Sequence, residues 1–262
     1  MTLFTHLLAS LRRPDHWIYA SWLDVVGRYR RNRLGLLWLF VPTAVYIWGI
    51  GGFLGAMQPG LDLPRFFAHV ALGFTLFRLV VTVLTDATSV FANSQGYIYD
   101  GSLRLTDFLL RSLARSWFYF MLTLPMVAVV VMGSPDATWS GVAPSVAAFV
   151  VDLLILLFLS VSVALLGARL PDLHELIGSA VMALFLLTPI VWDAVSAPAG
   201  TLRGALMRGN PLFHMVESVR APLLGQPVEP LTYAYLGALL VASFLVAILA
   251  YQRFARRVPV WL

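Results

Sequence analysis

Cysteine is absent from the 262 residues, and so is lysine. Without cysteine there is no disulfide framework, no cysteine-ligated zinc or iron–sulfur site and no thiol nucleophile. Without lysine there is no Walker A lysine, Schiff base or kinase-type lysine. All 18 basic residues are arginine, set against 13 acids for a formal charge of +5. Charge of either sign is scarce: 12% of residues carry it, about half the share found in soluble domains. What replaces it is apolar, at 60% hydrophobic residues and a mean hydropathy of +0.82. Such a chain cannot cover a soluble globule. It reads as an integral membrane protein with no means of hydrolysing ATP itself.

A spanning helix needs about 20 mostly apolar residues. Six stretches approach this, at 34–57, 66–92, 117–132, 142–168, 176–191 and 231–251. In hydrocarbon each helix satisfies its own backbone, so the expected fold is an all-α membrane bundle of six transmembrane helices in a single domain over 1–262. Arginine sets its orientation. Arg12, Arg13, Arg28, Arg30, Arg31 and Arg33 precede the first span, and Arg104, Arg111 and Arg115 follow the second. Arg169 follows the fourth span, and Arg253, Arg256 and Arg257 the sixth. Thirteen of the 18 arginines thus fall on one side, which the positive-inside rule makes cytoplasmic, with both termini there. The amino terminus is too short in apolar residues, and has its arginines on the wrong flank, for a cleavable signal peptide.

Three segments do not span. Residues 14–33 form an amphipathic interfacial helix, with Ile18, Trp22, Val25 and Tyr29 on one stripe and Asp24, Arg28 and Arg31 opposite. Positive-inside bias accounts for Arg28, Arg30, Arg31 and Arg33; a docking surface for an anionic lipid-linked substrate is the sharper alternative. The connector 93–115 begins with Gly96, Tyr97, Ile98 and Tyr99 and continues as a helical pattern carrying Asp107 and Arg111, with Ser102 or Thr106 as its cap. It fits either a partner-docking surface or an interfacial helix. The outer segment 192–230 is long for a connection and holds a short helix bounded by Pro211 and Gly225, with Asn210, His214, Glu217 and Arg220. It is too short to cross, so a re-entrant hairpin after a short fifth span is expected.

Catalytic motifs are wanting. His174-Glu175 opens an H-E-x-x-H, but Gly178 stands where the second histidine belongs. His214 and Glu217 lack a third ligand, so a hydrogen bond or cap suits them better than a metal. Gly51 and Gly55 form a weak G-x-x-x-G. Arg78, Asp86 and Asp152 are the intramembrane charges; Arg78 and Asp86 are too far apart for a direct pair, so each needs another partner.

Taken in order, several stretches are familiar. They are 28–38 (Arg-Tyr-Arg-Arg-Asn-Arg-Leu-Gly-Leu-Leu-Trp), Gly96-Tyr97-Ile98, Gly167-Ala168-Arg169-Leu170-Pro171-Asp172, Asn210-Pro211-Leu212-Phe213-His214, Arg220-Ala221-Pro222-Leu223-Leu224-Gly225 and a tail ending Trp261-Leu262. The chain resembles the permease subunit of type-2 ABC exporters for O-antigen and capsular polysaccharides, over nearly its whole length. The resemblance implies a homodimeric channel in the bacterial inner membrane, with two copies of a separate ATPase that binds the ATP and Mg. The cargo would be a lipid-linked polysaccharide, O-antigen rather than capsule on the character of the 220–225 stretch and the tail. It makes 93–115 the ATPase-coupling region and 192–230 the periplasmic re-entrant region. It implies that the arginines of the cytoplasmic mouth attract the substrate pyrophosphate, and gives the chain no cofactor, metal, nucleic acid or catalytic residue of its own. An intramembrane lipid-linked sugar or acyl transferase is the reading from another class, and an ion-driven transporter a third.

Overall fold

Among the described residues the chain is all helix: 81% is helical and there is no strand. The computed structural model describes every residue except Met1, Arg31, Pro59 and Ser102. Two short helices come first, α1 (Leu3–Leu11) and α2 (Ile18–Tyr29), joined through a 3-10 turn at Pro14–His16. The first apolar run, Gly35–Met57, changes pitch along its length. It passes from a 3-10 turn (Gly35–Leu39) to α3 (Phe40–Ala44), a π segment (Val45–Ile50) and α4 (Gly51–Met57). Then follow α5 (Leu63–Ser89), α6 (Gln95–Tyr99), α7 (Leu105–Met132), α8 (Val142–Arg169) and α9 (Leu173–Leu187). The remainder is α10 (Leu202–Arg208), α11 (Pro211–Leu223), α12 (Pro230–Phe254) and α13 (Val258–Trp261).

Five of these stretches are long and apolar enough to cross a membrane: Gly35–Met57, α5, α7, α8 and the one begun by α12. The fifth expected span, α9, has 15 residues, about 22 Å of helix, and falls short of that length. The third begins earlier than the apolar run indicates. Arg111 and Arg115 break the hydropathy at 105–116, yet α7 runs through them because both are paired to carboxylates inside the bundle. The helical half of the connector is therefore the first three turns of α7. Its cap is Asp107, which accepts from the Arg104 backbone N–H at 2.8 Å. Thr106 does not cap; its hydroxyl is 2.7 Å from that of Ser10. Ser102 lies outside the described residues.

α5 is the axis of the bundle, 72% buried over its central window, against 22% for α7 and 17% for the last span. The main core gathers Phe74, Phe77 and Val80 of α5 with Ile155 and Leu156 of α8 and Met215 and Val216 of α11. A second core joins both ends of the chain. Leu3 and Leu7 pack with Phe91, Leu165, Tyr251 and Val258, and His6 Nδ1 lies 2.7 Å from the Tyr251 hydroxyl. Both terminal segments therefore sit at one end of the bundle, called here the terminal end. At the far end α8 and α11 are stitched together: Thr138 donates to Pro222 O at 2.9 Å and Ser145 to Val219 O at 2.7 Å. Two glycines permit the closest crossings. A Cβ on Gly141 would stand 1.8 Å from Pro222 O, and one on Gly167 2.0 Å from Thr88 O.

Candidate functional site

At the terminal end, α2 crosses α7 and the two are riveted by charge. Arg111 grips Asp24 with two parallel bonds, Nε to Oδ2 at 2.8 Å and Nη2 to Oδ1 at 2.6 Å. One turn on, Arg115 donates to Asp86 of α5 at 2.8 Å and lies 3.9 Å from Asp24. Asp86 and Arg78 thus have separate partners, as their spacing required. The bidentate fork is the strongest geometry available to an arginine and a carboxylate. Beside it opens a cavity of about 530 Å³ walled by Arg28, Arg111, Arg115, Tyr119, Asp24 and Asn93. Three guanidinium groups line it against one lining carboxylate, and Arg115 Nε is buried without a hydrogen-bond partner among the described residues. The site suits an anion with several acceptor oxygens. Of the arginines expected here, Arg28 lines the cavity, Arg30 and Arg33 are exposed outside it, and Arg31 lies outside the described residues. We expect Asp24→Ala to release α2, with an effect of about 1–3 kcal/mol on a charge-assisted pair of this kind. Spin labels on α2 and α7 would report the separation; an unchanged distance would show that packing alone holds the crossing.

The connector that remains is the short helix α6. Ile98 points inward, while Tyr97 and Tyr99 are more than half exposed, and Gly96 has open space around it. Asp107 and Arg111, expected on this surface, are instead turned into the bundle as cap and rivet. The exposed face is braced by the tail. Gln95 Nε2 donates to Leu262 O at 2.7 Å and to the Tyr99 hydroxyl at 2.9 Å, and the Arg169 guanidinium sits 5.9 Å from the Trp261 ring centroid.

Within the spans, Arg78 donates to Leu39 O at 3.1 Å and Thr43 Oγ1 at 3.3 Å, both on the first apolar run, and makes no ion pair among the described residues. It shares a small polar cavity with Thr75, whose buried hydroxyl has no partner, and with Ser116 and Tyr119. Asp152 is 4% exposed on α8, and its Oδ1 likewise has none.

The far end is organised around α11, nine of whose thirteen residues are buried. Asn210 caps it, accepting from Leu212 N at 3.0 Å and donating to Thr188 at 2.8 Å. Arg220 is the largest fully buried side chain, at 1% exposure; it pairs with Glu217 and donates to Pro189 O at 2.6 Å. His69 of α5, unremarked in the sequence, completes this knot. Its Nε2 is 3.1 Å from Pro189 O, from Trp192 O and from Arg220 Nη1. Two carbonyls require that this nitrogen carry the proton, so its approach to Arg220 is two donors sharing an acceptor. His214 bridges Arg208 O at 2.8 Å and Thr232 at 3.0 Å, and Arg208 clasps Glu229 at 2.6 and 2.9 Å.

This clasp predicts acid sensitivity. Burial lowers His214, and the hydrogen bond from Arg208 lowers Glu229. Both groups have folded values below their unfolded ones, so each contributes stability that is lost as pH falls. Segment 202–230 should loosen first below the ordinary histidine range and again below the ordinary carboxylate range. Limited proteolysis across that range reads this out. Glu229→Gln should remove only the lower stage; a variant that still loosens in both stages would refute the assignment.

Among the described residues no three His, Asp or Glu side chains gather as a metal site. The fold and these sites define a helical membrane protein with an arginine-lined cavity at one end and a buried arginine knot at the other. The chain matches no family model and no curated protein.

Proposed function

We propose that the chain is the membrane-spanning subunit of an ATP-driven exporter of a lipid-linked polysaccharide, of the type-2 ABC kind it resembles in sequence. Two copies form the conduit in a bacterial inner membrane, with the terminal end in the cytoplasm and two copies of a separate ATPase below. O-antigen is the preferred cargo and capsular polysaccharide the second. The observation that carries this reading is α6. It is a five-residue helix at the terminal end, hydrogen-bonded to Leu262 after α13, that turns two tyrosines outward. Large exposed aromatics on a fixed mount are what a docking partner engages. The arginine cavity beneath α2 then receives the pyrophosphate, with Arg28 and the N–H groups that Arg111 and Arg115 do not give to Asp24 and Asp86 as its donors. Segment 192–230 forms the periplasmic re-entrant region, and α9 the short fifth crossing.

Replacing Tyr97 and Tyr99 together by Ala tests it. The variant should still insert and its ATPase still turn over, while glycan export falls by at least about fivefold, the lower end of a typical coupling energy. Undiminished export, or the absence of any ATPase copurifying with the wild-type chain, would overturn the proposal.

A further inference from the structure

The flank of α7 turned away from the arginine cavity borders a second cavity of the same size, about 530 Å³, and of opposite character. It lies where α7 and α8 splay apart. Leu113 and Trp117 form one wall, Leu153 and Leu157 the other, and Leu79 and Val83 of α5 the floor. Its Trp117 wall is backed by stacking on Phe120 and Phe149, the three ring centroids 5.0–6.0 Å apart. Toward the terminal end it is closed by Trp17 and Ile18. The indole N–H of Trp17 is already given to Ser10 O at 3.1 Å, which leaves the indole N–H of Trp117 as the one other polar side-chain group among the lining residues. Water and sugar hydroxyls would go unsatisfied there.

The chain just before Trp17, which lines the slot at its terminal end, is charged. Arg12 and Arg13 lie directly before the 3-10 turn that leads into Trp17; both are exposed and neither makes an ion pair among the described residues. Asp15 and His16 share the turn, and the two arginines outweigh the one acid. From Arg12 the apolar surface continues along α1, where Phe4, Leu8 and Leu11 recur at helical spacing and are about half exposed or more. An outward apolar stripe ending in arginines is the pattern of a helix lying at the lipid headgroups. We infer that the slot holds one chain of an anionic phospholipid, whose phosphate is met by Arg12 and Arg13, as a resident lipid that wedges α7 from α8. The charge beside Trp17 selects the headgroup, and the apolar slot selects the chain. The assignment does not depend on what, if anything, the protein exports.

The test uses the full-length chain in phosphatidylcholine vesicles doped with phosphatidylglycerol bearing a mid-chain photoreactive diazirine. Adducts should map to 110–118 and 153–157 and be competed by unlabelled phosphatidylglycerol. Each arginine near an anionic headgroup is worth about fivefold, so Arg12→Gln with Arg13→Gln should weaken labelling roughly 25-fold. Ala114→Phe, which fills the slot, should abolish it. The arginine pair is exposed, so that variant folds even if the filled one does not. Equal labelling by a phosphatidylcholine analogue, labelling unchanged in the arginine variant, or adducts spread evenly over all outward helices would overturn the proposal.

Discussion

Arg220→Met should cost the fold about 3–5 kcal/mol, the usual penalty for removing one member of a buried ion pair. Arg220 is 1% exposed and its partner Glu217 12%, so no solvent is at hand to take over the orphaned carboxylate. Pro189 O would lose its 2.6 Å donor at the turn that ends α9. Gly73 adds a constraint of shape: a Cβ there would come 3.0 Å from Arg220 Nη1, so the guanidinium occupies the place a side chain would take. Unfolding in detergent, followed by tryptophan fluorescence, measures the loss. Pairing Arg220→Met with Glu217→Leu should recover much of it, because an apolar pair of similar volume leaves no charge behind. A single variant as stable as the parent would mean that the knot contributes nothing.

Gly141→Ala and Gly167→Ala should each destabilise by about 1–3 kcal/mol or more, the range for overpacking an interior. The added methyl would meet Pro222 O in the first and Thr88 O in the second, at 1.8 and 2.0 Å. Both obstacles are backbone, so no rotamer change makes room; α8 must move away from α11 or from α5. Gly237→Ala is the control. That glycine lies within α12 with open space around it, and alanine is the better helix former by about 1 kcal/mol. Thermal melting of the three variants should therefore separate them by sign. A Gly141 or Gly167 variant as stable as the control would show these crossings to be looser than described.

The apolar runs are legible because hydropathy is a local property. The runs at 142–168 and 231–251 fall within one or two residues of α8 and within α12. Legible too was that Arg78 and Asp86 need separate partners, since helical geometry fixes their separation. Which partners is another matter. Asp24 meets Arg111 across 87 residues, and Arg220 meets His69 across 151. No spacing rule reaches so far along a chain. The start of α7 was hidden for the same reason: its arginines look polar until their carboxylates arrive from α2 and α5. Helix α1 is shorter than any periodicity test can resolve, and it is fixed by packing against α12.

The first apolar run winds at three pitches in succession, bonding three, then four, then five residues back before returning to four. A π segment holds one residue more per turn-closing ring than an α-helix does, and such bulges cluster at functional places. Val45–Ile50 is thus a reservoir of slack within an otherwise taut rod. Passing that extra residue along the rod turns one part of it about its axis by about a hundred degrees against the other, with every backbone bond remade in register. The run is only 22% buried, so little packing resists such a rotation, which would bring Trp38 and Trp48 to new bearings without drawing either out of the bundle's surface.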